Sequence, residues 1–93
     1  MLTHVVLIQF ESMKDAEVGR RRLLSMKGRI PSMLDIEAGI DITRSGRSYE
    51  LALITRHSNA HGLQAYQEHP VHQEVLDYLR SHSSGSVSVD FEA

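Results

Sequence analysis

This 93-residue sequence predicts a ferredoxin-like α+β fold, ordered β-α-β-β-α-β around a four-stranded antiparallel sheet. Three observations predict it. Strand-type stretches occur four times, at residues 3–10, 34–42, 49–55 and 87–91. Helical periodicity fills the gap after the first and the gap after the third. The first and third stretches are apolar on both sides of the pleat, as central strands are, whereas the second and fourth are half polar, as edges are.

The elements follow in order. Thr3 to Phe10 (THVVLIQF) is β-branched and apolar, with residues of this type on both sides of the pleat. Ser12-Met13-Lys14-Asp15 has capping-box spacing, with Asp in place of the usual Glu, and opens a helix. Met13, Ala16, Leu23, Met26 and Ile30 give that helix a buried stripe, and Gly28 and Pro31 end it. Its run Gly19-Arg20-Arg21-Arg22 reads as a solvated face. From Leu34 to Ile42 the chain alternates: Ile36, Ala38, Ile40 and Ile42 point one way, Asp35, Glu37, Gly39 and Asp41 the other. Arg44 to Arg47 is a turn, and Tyr49 to Thr55 returns as a strand. Ser58 is the expected cap of a helix to about Glu68. Pro70 forces His69 out of helical dihedrals and suits the first position of a new helix, so the second helix breaks in two. Val71, Val75, Tyr78, Leu79 and His82 line one side of its second half. A turn at residues 83–85 leads to the last strand.

Helices cover only one face of such a sheet. The central strand still carries Thr3, Val5 and Leu7 on the other, and an apolar face of that size predicts an interface. A homodimer joined sheet to sheet, a dimeric α+β barrel, would bury it.

Composition narrows function. The net charge of −2 argues against nucleic acid, which calls for a basic face. There is no cysteine, so disulfides, thiolate catalysis and zinc–thiolate sites are excluded. No apolar run approaches the ~20 residues that span a bilayer, and no signal-peptide profile opens the chain. The expectation is one cytoplasmic domain, residues 1–93, with no membrane partner. The glycines are isolated, so no phosphate loop and no nucleotide cofactor is expected. His69 and His72 have a metal-ligand separation but straddle the helix break, and no metal site is assigned.

From end to end the chain resembles the stress-responsive A/B barrel family of small dimeric α+β barrels. The resemblance rests on His4-Val5-Val6-Leu7 with Phe10, Ile30-Pro31, Ile36-Glu37-Ala38-Gly39 and Tyr49-Glu50-Leu51-Ala52-Leu53. It continues through Leu63 to Pro70 with His72, and closes on Val87 to Phe91. It implies a homodimer with a small-molecule pocket between sheet and helices; the expectation is that no cofactor is bound. In the family's polyketide cyclase branch a histidine after the proline is the base and a tyrosine on the preceding helix assists it. Those positions match His72 and Tyr66, and the branch's strand histidine matches His4. The chain departs from that branch at Leu51 and Leu23, where the branch has a pocket histidine and a tyrosine, and carries His57 where an aromatic is usual. Val6 and Ile8 share a strand face with His4 and complete the expected ligand-binding set.

The segment AYQEHPVHQEV (residues 65–75) therefore reads as a structural corner and a pocket rim. The first function expected is binding of a small organic molecule, anionic or polyketide-like. Amides of the new helix at Val71 and His72 would favour a carboxylate. The alternatives are a cofactor-free enzyme (cyclase, isomerase or monooxygenase chemistry) using His72 and Tyr66, and a non-catalytic structural stress protein.

Overall fold

In the computed structural model, which describes residues 1–93, β1 (Leu2–Gln9) runs antiparallel between β3 (Leu51–His57) and β4 (Gly85–Glu92). β2 (Asp35–Ile40) flanks β3, so the sheet order is β2-β3-β1-β4, with the first and third strands central as expected. Helices α1 (Met13–Leu24), α2 (Ala60–Glu68) and α3 (Pro70–His82) lie on one face. None is long and apolar enough to cross a membrane.

Local chemistry explains the helix boundaries. Ser12 Oγ accepts from the Asp15 amide, satisfying an orphan donor at the start of α1. Asn59 caps α2 through the Gly62 amide; the expected cap at Ser58 is one residue too early. His69 is extended, ends α2, and accepts the Val71 amide on its ring Nδ1, with Pro70 at the first position of α3. One side chain thus turns the corner.

The expected extents differ in two places. α1 ends at Leu24, short of Gly28. Ser25 returns its hydroxyl to the Arg22 carbonyl, and residues 25–29 continue as tighter turns, with the Met26 amide on Leu23 and Arg29 on Met26. Met26 and Ile30 remain fully buried all the same, each worth roughly 1.5–3 kcal/mol. β2 ends at Ile40. The Asp41 amide makes the final ladder bond to Glu50, and its carboxylate then accepts from the Arg44 amide, so Ile42 lies outside the strand at 93% exposure.

The core between helices and sheet is aliphatic with few rings: Leu23, Met26, Ile30, Leu51 and Tyr66 are essentially inaccessible. α1 meets the sheet at Gly19, where a Cβ would sit 3.1 Å from Phe10 Cζ and 3.4 Å from Leu79 Cδ2. Gly19→Val should therefore cost about 2 kcal/mol by overpacking, despite a better helix propensity. A urea melt checks this, and an unchanged midpoint would contradict the close approach.

The opposite face is open. Across β1 and β4 it carries Val5, Leu7, Val87, Val89 and Phe91, the last four 41–64% exposed. At its β2 edge the apolar surface gives way to Arg56, which bonds Asp35 and Glu37 at 2.9 and 2.8 Å.

Candidate functional site

A cleft of about 320 Å³ opens between the β1–β4 side of the sheet and helices α2 and α3. His4, Val6, Ile8, Tyr66 and His72 all line it. The period of two along β1 aims His4, Val6 and Ile8 into the helix side. Tyr66 comes from the last turn of α2 and His72 from the first turn of α3, brought together by the His69–Pro70 corner.

The Tyr66 ring lies among three imidazoles, with centroids 4.5 Å from His72, 5.0 Å from His57 and 6.2 Å from His4. Its side chain is wholly buried, and its hydroxyl is the one buried side-chain polar atom without a hydrogen-bond partner. Burial pushes this phenol well above its ordinary pKa, so it stays protonated and is a donor.

Each of these three histidines has an acceptor at Nδ1. His72 Nδ1 lies 3.0 Å from the Gln67 carbonyl, and a carbonyl can only accept, so Nδ1 carries the proton. Nε2 then holds a lone pair and makes no bond within the chain. Burial lowers the pKa of His72, the Gln67 carbonyl opposing it in part, and the ring is neutral at pH 7. His4 Nδ1 bonds the Asp90 carboxylate, which likewise leaves Nε2 free. His57, fully buried, spans Ser32 and Thr55: Nδ1 donates to the Ser32 carbonyl at 2.8 Å, and Nε2 accepts the Thr55 hydroxyl at 2.9 Å. Burial lowers its pKa as well. With both nitrogens engaged, His57 is a structural support under Tyr66.

Two details of the site differ from expectation. The Val71 amide is taken up by His69, so the start of α3 does not offer two free amides to a carboxylate. Asp90, Gln67, Arg80, Ser86 and Ser88 contribute to the site and were not legible as site residues. Asp90 is 86 residues from His4, and only the β1–β4 register joins them. No three histidine or acidic side chains gather in a metal-binding group. Chemically, the cleft offers a neutral phenol donor, a neutral imidazole acceptor and a carboxylate-backed imidazole, set against an apolar floor of Val6, Ile8 and Leu53.

Residues 2–93 match the family model described as "Stress responsive A/B Barrel Domain". Among solved structures, the chain is similar to a dimeric ferredoxin-like protein of unknown function from Thermobifida fusca. That match has 22% identity and a TM-score of 0.87, over 99% of this chain and 90% of that one. It is also similar to the hydroxynitrile lyase of Passiflora edulis, at 12% identity and TM-score 0.81, over 97% and 90% of the two chains. A third is SnoaB, a cofactor-independent oxygenase from Streptomyces nogalater, at 15% identity and TM-score 0.78, over 99% and 91%. At these identities the likeness is one of fold. No curated protein matches the chain.

Proposed function

The chain belongs to the stress responsive A/B barrel domain family, and from that premise we propose that it acts as a homodimer binding a small oxygenated organic molecule in the cleft. The contacts are His4, Val6, Ile8, Tyr66 and His72. The observation that carries this reading is the Tyr66 hydroxyl. A buried donor left unpaired costs roughly 1–3 kcal/mol, and a ligand carbonyl or hydroxyl on the cleft wall would repair it. The homodimer is supported by the open apolar face and by the dimeric state of similar ferredoxin-like structures.

A second reading, catalysis, is favoured by the state of His72. A neutral Nε2 with no partner can take a proton from a carbon beside a carbonyl, while the Tyr66 hydroxyl donates to the oxygen on which charge develops. Neither step calls for a cofactor. The fold hosts such diversity elsewhere, in a lyase and in a cofactor-independent oxygenase.

Tyr66→Phe tests the binding reading directly. Removing the orphaned hydroxyl should raise the stability of the unliganded protein by about 1 kcal/mol. It should also abolish the binding of aryl and alkyl ketones and phenols detected by ligand-observed NMR on the wild type. A wild type that binds none of these compounds, or a variant that binds them equally, would sink the reading. If catalysis holds, His72→Ala loses α-proton exchange into deuterated water on the same ketones by a much larger factor than it loses affinity for them.

A further inference from the structure

The cleft is graded along its length, and the grading specifies the ligand more closely. Helix α3 contributes His72, Leu76, Leu79 and Arg80 to its wall, and the extended Ser83 follows just past its end. Steps of four, three and one residues keep the helical side chains on one side of α3. This wall therefore runs along the cleft in a fixed order: an acid–base group, an apolar middle, then a cation and a hydroxyl. At 1.5 Å per residue, His72 and Arg80 are about 12 Å apart along the helix axis.

The sheet wall runs the same way. The β1–β4 register sets His4 opposite Asp90, Val6 opposite Ser88 and Ile8 opposite Ser86. The His4–Asp90 pair is thus at the His72 end, and Ser86 is at the Arg80 end, just past the turn that leads out of α3. Arg80 takes part in none of the ion pairs of the chain. No acid is among the residues lining the cleft, and Asp90 behind it is held by His4. The exposed Arg80, in no ion pair, lines the cleft together with Ser83 and Ser86, and its charge is felt by His72 one stretch of helix away.

We propose that the ligand is an amphipathic monocarboxylate, with a carbonyl or hydroxyl seated at His4, Tyr66 and His72 and its carboxylate held by Arg80. Arg80 is then the residue that selects for charge. The inference rests on the cleft reading given above and adds the substrate class. A carboxylate fits better than a phosphate dianion. The far end holds one cation and neutral hydroxyls, and a guanidinium matches the two oxygens of a carboxylate in a fork. An apolar stretch of Leu76, Leu79, Val6 and Ile8 between the two polar ends calls for a hydrocarbon body of several carbons.

The test is isothermal titration of the full chain with 8-oxononanoate and with its methyl ester, in the wild type and in Arg80→Gln. The wild type should bind the acid about tenfold more tightly than the ester, the scale of one charge-assisted hydrogen bond. Arg80→Gln should remove that preference by weakening the acid alone, with ester affinity and thermal melt unchanged. Arg80→Lys should restore part of it. Equal binding of acid and ester by the wild type overturns charge selection and leaves the cleft reading standing. Binding of neither overturns both. Equal loss of acid and ester in Arg80→Gln would mean that the arginine shapes the cleft and does not read the charge, which also overturns the proposal.

Discussion

Val5→Asp is expected to convert the proposed dimer into folded monomers. Val5 stands at the middle of the open sheet face, between Ile54 on β3 and Val89 on β4. Leu7, Val87, Val89 and Phe91 surround it, all strongly exposed in the isolated chain. A sheet-to-sheet dimer with two-fold symmetry buries this patch twice. The substitution therefore inserts two carboxylates into one apolar interface. Neither finds a cation nearby, since Arg56 is engaged by Asp35 and Glu37 at the β2 edge. Burying charge without a partner costs several kcal/mol, so the dissociation constant should rise by about a thousandfold, some 4 kcal/mol.

The monomer should survive, because Val5 is only half-buried within one chain and packs on the side away from the helices. Sedimentation velocity at micromolar concentration, with far-UV circular dichroism as a folding check, decides the matter. A Val5→Asp protein that dimerises like the wild type would show that the sheet face is not the interface. An aspartate at the exposed Ser25, on the helix side, is the control and should leave assembly unchanged.

What the sequence made legible divides along a physical line. Features set by local chemistry could be read: the Ser12 cap, the His69–Pro70 break, the two-sided apolarity of β1 and β3. So could the apolar face that the helices leave open. Features that depend on register or on competing side-chain bonds could not. The length of the buried stripe through Met26 and Ile30 suggested a longer α1, because burial continues into the turns after the helix hydrogen bonds stop. Ile42 fits the alternation of β2, yet the pull of Arg44 on Asp41 ends the strand before it. At the site, Tyr66 and His72 could be placed by the family resemblance, and His4 by that resemblance and its strand face. Asp90 and Arg80 could not, because nothing in a stretch such as SVDF or YLRS identifies a residue met across 86 positions or one projecting from the far end of a helix.

Glu50→Ala should cost about 2–3 kcal/mol of stability, although Glu50 lies outside the cleft. Its carboxylate is nearly buried at the start of β3. One oxygen accepts the Phe10 amide at 2.7 Å, and the other accepts Arg44 at 2.5 Å. It thereby ties the end of β1 to the β2–β3 loop. Removing it orphans a buried amide beside the core ring of Phe10 and frees a loop whose Arg44 adopts a left-handed φ of 52°. Glu50→Gln, which keeps an acceptor for the amide, should lose about half as much.

The same contact predicts an acid limb. The Phe10 amide, helped by Arg44, holds the Glu50 pKa below its ordinary 4.5. Its stabilisation is therefore complete above pH 4.5 and is lost as pH falls through the lower folded value. His57 and His72 act with the same sign at higher pH. Their folded values lie below 6.5, so protonation favours the unfolded chain and stability starts to decline as pH drops beneath 6.5. Urea midpoints measured from pH 7 to pH 3 should fall in two stages. Glu50→Gln should flatten the lower one and leave the upper intact. An identical profile in the variant would remove the buried carboxylate as the source of acid sensitivity.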